Sequence, residues 1–283
     1  RRRLKMNLKD KMLSFRSPDI NNYHELKSYS AEEIYDNFIG CGGLYLATNM
    51  VRKMNLKKGD IILDLGCGFG STSIFLAKMF DITVIAVDFW FPPTKLTERI
   101  NKEGYSHRIV PLNLDITQNI PFANEYFDAI FSMNSLFLYG DNCNFLRKLL
   151  NTLKPGGTFC IGSECFNQEP HYPSITDIPR EYNFDWKWNV WDTCFSKYHS
   201  PNWWRSQLSE TNLLDITYCS ELEDGVILFE DVALNYYKYF KDEILSLGAM
   251  ISQEKIVDTI LYGRENEIYT TLFVLSGTKK PKN

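Results

Sequence analysis

Asp64-Leu65-Gly66-Cys67-Gly68-Phe69-Gly70 follows the apolar run Ile61-Ile62-Leu63 and precedes Ser71-Thr72-Ser73-Ile74-Phe75-Leu76. A short run with almost no polar residue is what a parallel strand covered on both faces requires. The glycines let the chain bend sharply into a helix and let a ligand approach the backbone without meeting a Cβ. In open α/β sheets, ligands bind outside the carboxyl ends of the strands, where the strand order reverses.

Outward from this bend, strand and helix periods alternate. Residues 71–80 read as a helix, 82–87 as a strand, 92–103 as a helix and 109–112 as a strand. Residues 127–131 follow as a strand, 142–153 as a helix, and 158–162 as a strand after the turn Lys154-Pro155-Gly156-Gly157. This alternation predicts an α/β sandwich on a parallel sheet with right-handed crossovers. Upstream, Ser30 and Glu33 are spaced as a capping box that starts a helix. The break Gly40-Cys41-Gly42-Gly43 leads into another helix over 44–54. Downstream, 164–201 is rich in aromatic and turn residues and 203–211 reads as a helix. Residues 214–219 read as a strand, 229–261 as two helices broken near Gly248, and 268–275 as a last strand. One domain over 29–283 is expected, with cap insertions at 164–205 and 229–261. Residues 1–28 are expected to form a tail, frayed over 1–11.

At 283 residues and 44% hydrophobic, the chain can bury a full core. Its 31 Lys and Arg against 35 Asp and Glu leave a charge of -4, which disfavours nucleic acid and anionic lipid as partners. No apolar run is long enough to span a membrane, and no apolar signal segment follows the first charges, so a soluble, cytoplasmic protein is expected. The seven cysteines are scattered and never paired as C-x-x-C, which predicts reduced thiols. His24, His107, His171 and His199 are isolated in sequence and predict no metal site.

Two further carboxylates complete the constellation around the bend. Asp88 ends the second strand and Asp115 follows the third. A dinucleotide fingerprint requires a third glycine where Ser71 stands, and Asp64 beside a pyrophosphate would repel it. S-adenosylmethionine carries an ammonium, a sulfonium, two ribose hydroxyls and an adenine, and no phosphate. Asp64 is therefore assigned to the methionine end, and the amides of Gly66, Cys67 and Gly68 to close approach. Asp88 is assigned to the ribose hydroxyls, Phe89 to one adenine face, Asp115 to the exocyclic amine, and Ile116 to an amide and an apolar wall.

In order and spacing, these residues resemble the class I S-adenosylmethionine-dependent methyltransferases. The likeness extends over 39–162, through Asp64-x-Gly66-x-Gly68, Asp88, Asp115-Ile116, Phe127-Asp128 and Leu153-Lys154-Pro155-Gly156-Gly157. It implies a Rossmann-like, seven-stranded, mostly parallel sheet with helices on both faces, a reversed last strand and an inserted cap. Gly40-Cys41-Gly42-Gly43-Leu44 further resembles the branch holding phosphoethanolamine methyltransferases and cyclopropane synthase-like proteins. That resemblance implies that Ile39 and Cys41 touch the cofactor, that Met133 passes beneath it, and that Tyr29 is the counterpart of a catalytic tyrosine. The histidine that partners this tyrosine would fall near Leu138-Tyr139, where this sequence has none.

The expected function is transfer of a methyl group from S-adenosylmethionine to a small-molecule amine, thiol or oxygen nucleophile by in-line displacement. Such a step needs collinear alignment first, and a general base only for a protonated nucleophile. Tyr139 would orient the acceptor or simply pack as an aromatic, and Tyr35 would face substrate or sit in the core. Trp186, Trp188, Trp191, Trp203 and Trp204 would line a cation-binding lid, form the cap's own core, or mediate a homodimer contact. Arg205 would meet a substrate anion or form a surface ion pair. The alternatives are a nucleic-acid methyltransferase, an NAD-dependent oxidoreductase and a non-catalytic binding module. Against the first, Ser132-Met133-Asn134-Ser135 stands where base methylation would need Asn-Pro-Pro-aromatic.

Overall fold

The computed structural model describes residues 7–36, 38, 40–139, 143–169, 198–239, 253–267 and 269–281. Its centre is a sheet of seven strands: β1 (Ile61–Leu65), β2 (Thr83–Asp88), β3 (Ile109–Asn113), β4 (Phe127–Met133), β5 (Leu153–Phe166), β6 (Leu214–Glu221) and β7 (Thr270–Lys279). They lie in the order β3-β2-β1-β4-β5-β7-β6. The first five pair in parallel, and β7 runs antiparallel to both β5 and β6. β1 pairs Ile61–Leu65 with Thr83–Val87 on one side and Ile62–Asp64 with Ala129–Phe131 on the other, so the strand order reverses across it. The glycine bend leaves the sheet at this crevice.

Helices cover both faces, as the alternation predicts. One face carries α3 (Gly43–Val51), α4 (Ser71–Met79) and α5 (Pro93–Lys102), whose Leu46, Met50, Phe75 and Ile100 pack with Ile62, Val84 and Phe131. The other carries α7 (Cys143–Asn151) and α8 (Pro201–Glu210), whose Leu146, Leu149 and Trp204 pack with Leu63, Ile130 and Phe159. The Ser30–Glu33 capping box forms at α2 (Ala31–Tyr35). A short α6 (Leu136–Tyr139), not foreseen, follows β4. The region expected as helices over 229–261 contains α9 (Gly225–Asp231), a π-helical turn at Val232–Tyr236 and α10 (Gln253–Asn266). Gly248 lies outside the described residues. Among the described residues no helix is long and apolar enough to cross a membrane.

The first 28 residues require a correction. From residue 7 onward they form α1 (Leu8–Lys11) and three short 3-10 turns, and they pack into the core rather than trailing as a tail. Phe15, Tyr23 and Leu26 are buried within the α3 face, Leu26 completely. Arg52, the C-cap of α3, grips Glu25 through two hydrogen bonds of 2.7 and 2.6 Å, and Tyr23 donates its hydroxyl to Asp224 ahead of α9. Short turns of this kind have neither the 2.0 nor the 3.6 residue period on which element recognition rests.

Leu26→Ala is expected to lower unfolding stability by about 2–5 kcal/mol, the usual cost of truncating a fully buried leucine. Urea denaturation followed by circular dichroism reads it; a change below about 0.5 kcal/mol would restore the view of this segment as a tail.

Candidate functional site

At the end of β1 the chain turns through Gly66, Gly68 and Gly70 with φ of 77°, 53° and 83°, in the left-handed region that favours glycine. The amides of Gly66 and Cys67 both donate to the Val87 carbonyl of β2, at 2.8 and 3.1 Å. The Gly68 amide donates to Asp88 Oδ2 at 2.9 Å. Three consecutive donors are thus used inside the protein. A Cβ on Gly66 would fall 2.2 Å from Ser135 Cβ, whereas one on Gly68 would meet nothing within 4 Å. The loop is therefore packed against the start of α6 at Gly66 and open at Gly68.

Asp64 is buried on β1. Its Oδ2 accepts the hydroxyls of Thr72 and Ser73 at the start of α4, both at 2.6 Å, while its Oδ1 is buried without a hydrogen-bond partner. Burial drives its pKa up to about 6; the two hydroxyls oppose that rise and the nearby Asp88 adds to it. Asp88 ends β2, and its Oδ1 accepts the amides of Trp90 and Phe91 at 2.8 and 3.2 Å. Burial raises its pKa too, opposed by the backbone amides that it accepts, with Gly68 first. The loop beyond Asp88 is held by Asn113, whose amide nitrogen donates to the carbonyls of Asp88, Phe89 and Phe91. This leaves the Phe89 ring 51% exposed. Asp115 Oδ1 accepts the amide and hydroxyl of Thr117 at 3.0 and 2.6 Å, and Ile116 is buried beside it.

Tyr139, at the end of α6, ties these residues together. Burial raises its phenol pKa far above the ordinary value, and the charges of Asp88, Cys67, Asp64 and Asp115 raise it further. Its ring edge lies over the glycine loop: a Cβ on Gly66 would fall 3.5 Å from Tyr139 Cε2. Met133 is buried at the end of β4. Cys41 is held on the other flank: its amide donates to Glu164 Oε1 and its carbonyl accepts from Asn134 Nδ2, each at 2.8 Å. Neither Asn134 nor Glu164 was singled out from sequence, and only their positions at the ends of β4 and β5 could have signalled them.

Other expected site residues lie elsewhere. Tyr29 packs on the outer side of α4, its ring under the Lys78 ammonium at 4.1 Å and 6.3 Å from Phe75. Its phenol is pushed up to about 12, chiefly by burial and then by Tyr105 and Glu33. None of these residues belongs to the acidic cleft, so Tyr29 is not placed with it. Tyr35 is buried, donates its hydroxyl to Asp231 and stacks on Tyr239 at 5.5 Å, in the seam between α2 and the segment after α9. Trp203 stacks on His199 at 3.6 Å. Arg205 is exposed and donates to the Cys219 carbonyl of β6 at 3.3 Å, which turns it to the sheet edge rather than to the cleft. Ile39, Trp186, Trp188, Trp191 and His171 lie outside the described residues.

With the Gly66, Cys67 and Gly68 amides used internally and three carboxylates nearby, the cleft repels phosphate and favours a ligand offering hydroxyl donors and positive charge. Residues 62–157 match the family described as a methyltransferase domain. Over 155 residues the chain is 28% identical to phosphoethanolamine N-methyltransferase 1 of Arabidopsis thaliana, covering 52% of this chain and 30% of that protein. Over 130 residues it is 29% identical to erythromycin 3''-O-methyltransferase of Saccharopolyspora erythraea, covering 44% and 42%. The chain thus matches less than half the length of either relative. Among solved structures, the (4+2)-cyclase SpnF superposes with a TM-score of 0.66 at 14% identity, covering 95% of this chain and 99% of that one. Residues 62–157 thus resemble a methyltransferase domain, and the seven-stranded fold is shared with solved S-adenosylmethionine-dependent methyltransferases.

Gly66→Ala is expected to cost about 2–5 kcal/mol, from the left-handed backbone and the collision with Ser135. Urea unfolding measures it, and adding Ser135→Gly should return part of the loss; an unchanged midpoint for Gly66→Ala would show that the two loops do not touch.

Proposed function

We propose that the chain binds S-adenosylmethionine in this cleft and transfers its methyl group to a small-molecule acceptor. The observation that carries this reading is a glycine loop whose first amides are already bonded, with Asp64 Oδ1 buried and unpartnered on β1 and Asp88 accepting from the Gly68 amide. The residues fit the cofactor. Asp64 Oδ1, buried and unpartnered, is an acceptor for the methionyl ammonium, directly or through water. An ionised carboxylate accepts several hydrogen bonds, so Asp88 can take ribose hydroxyls beside its backbone amides. Phe89 offers an exposed ring for adenine, Asp115 an acceptor for its amine, Ile116 an apolar wall, and Met133 and Cys41 the floor and flank. When bound, the cofactor supplies a methyl carbon activated on a positively charged sulfur.

Tyr139 keeps its proton at neutral pH and serves as a hydrogen-bond donor that orients the acceptor, not as a base. The acceptor atom is left open, because the relatives named above act on both nitrogen and oxygen. A second reading, cofactor binding without methyl transfer, is favoured by the likeness to SpnF, a (4+2)-cyclase.

Calorimetric titration with S-adenosylhomocysteine tests the reading. Saturable binding is expected, weakened about 10–100-fold in Asp88→Ala by loss of charge-assisted hydrogen bonds. No binding, or binding indifferent to Asp88→Ala, would overturn it. Radiolabelled methyl transfer to a panel of amines, thiols and hydroxyl compounds separates the enzyme from the binding module. On an accepted substrate, Tyr139→Phe should lower kcat about 10–100-fold and leave S-adenosylhomocysteine affinity within about twofold.

The raised Asp64 pKa gives a pH dependence of definite sign. The native state holds this proton up to about pH 6, whereas an ordinary carboxyl has lost it, so ionisation of Asp64 lowers unfolding stability as pH rises from about 4 to about 6. A cationic ligand needs the ionised form, so affinity should fall as pH drops from about 7.5 to about 5.5. Asp64→Asn should flatten that fall. An unaltered pH profile in Asp64→Asn would remove Asp64 from the ammonium site.

A further inference from the structure

We propose that Asn134 and Glu164 are positioning residues that clamp the Cys41 peptide beside the cofactor loop, so that cofactor affinity depends on two side chains that contact neither ribose nor adenine. This rests on the function proposed above. The two residues reach Cys41 from the ends of adjacent strands: Glu164 Oε1 accepts its N–H, and Asn134 Nδ2 donates to its carbonyl. Both polar groups of one residue are therefore held by side chains of the sheet.

The two clamps are themselves fixed. Asn134 sits at φ 52°, where asparagine is among the least strained non-glycine residues, and its amide donates to the Gly162 carbonyl of β5 at 2.8 Å. Glu164 is buried, and its other oxygen accepts the Ser163 hydroxyl at 3.1 Å. Fit is tight on the opposite side as well. A Cβ on Gly40 would fall 2.3 Å from Asn134 Nδ2, and one on Gly42 would fall 2.9 Å from Leu272 Cδ1 of β7.

The neighbour of Asn134 completes the connection. Ser135 donates its hydroxyl to the Leu65 carbonyl at 2.7 Å and lies directly under Gly66. One dipeptide thus braces both walls: Asn134 holds the Cys41 loop and Ser135 holds the Leu65–Gly66 bend. Loosening Asn134 or Glu164 leaves Asp64, Asp88 and Asp115 intact but frees the Cys41 wall. That wall must then be ordered when the ligand binds, at a cost in affinity.

Two readouts test this. Alkylation of Cys41 by iodoacetamide in the ligand-free protein, mapped by peptide mass spectrometry, reports whether the loop is held; titration with S-adenosylhomocysteine reports whether holding it matters. Asn134→Gly keeps the backbone geometry and removes the donor. It and Glu164→Ala should each label Cys41 about tenfold faster and bind S-adenosylhomocysteine about 5–10-fold more weakly. Glu164→Gln keeps an acceptor for the Cys41 amide and should bind S-adenosylhomocysteine near wild type; like Glu164→Ala it also removes the carboxylate that adds to the burial-driven rise of the Cys41 thiol pKa, so the labelling comparison rests on Asn134→Gly. Faster labelling with unchanged affinity would reduce the clamp to a structural role and overturn the proposal, as would wild-type behaviour in both variants. If the unmodified protein fails to bind S-adenosylhomocysteine at all, the proposed function falls, while the labelling rates still show whether the clamp exists.

Discussion

Three successive amides, of Gly66, Cys67 and Gly68, turn back onto the Val87 carbonyl and the Asp88 carboxylate. This inward bonding sets the path of the chain from β1 into α4, and most of the cleft takes its position from it. Asp64 is carried to the α4 hydroxyls, Asp88 is drawn under the loop, and Gly66 is pressed onto Ser135. The same bonds decide what kind of ligand the loop can receive. A glycine loop that cradles phosphate keeps its amides free to point at the anion. Here those donors have internal partners, and the remaining polar groups are acceptors.

The rest of the molecule braces this crevice from outside. On one side Arg99 of α5 donates to the Phe69 carbonyl, to the Ser71 hydroxyl and to Asp36 beyond α2, so it joins the glycine loop to the N-terminal segment. Burial lowers the pKa of this guanidinium, opposed by Asp36, but the group remains charged at neutral pH. On the other side, Lys11 donates to Asp258 of α10 and the Arg16 amide to Glu230 of α9. These are the two regions that sequence reading separated as a tail and a cap, and the structure joins them into one wall.

Much of the central sheet was legible because its signals are local. A buried parallel strand is a short apolar run, and Ile61–Leu65 is β1 residue for residue. The Ser30–Glu33 capping box is a spacing of three, and it forms as read. The acids were legible for the same reason: Asp64 lies near the end of β1, Asp88 closes β2, and Asp115 follows shortly after β3. What escaped was contact between residues distant in sequence. Leu26 is buried because its turn packs against α3, Tyr35 bonds Asp231 across 196 positions, and Glu164 reaches Cys41 across 123. No local period records such pairs. The same holds for Tyr29, whose ring lies under Lys78 of α4, and for Arg205, which donates to the Cys219 carbonyl of β6.

The choice between an adenosyl and a dinucleotide ligand rests on how Asp88 and the loop amides are used, and a co-crystal structure with S-adenosylhomocysteine tests it most directly. Ribose hydroxyls within hydrogen-bonding distance of Asp88, and the sulfur facing Tyr139, are the expected result. A ribose remote from Asp88, or a ligand held by phosphates on the amides of Gly66 and Gly68, would contradict it.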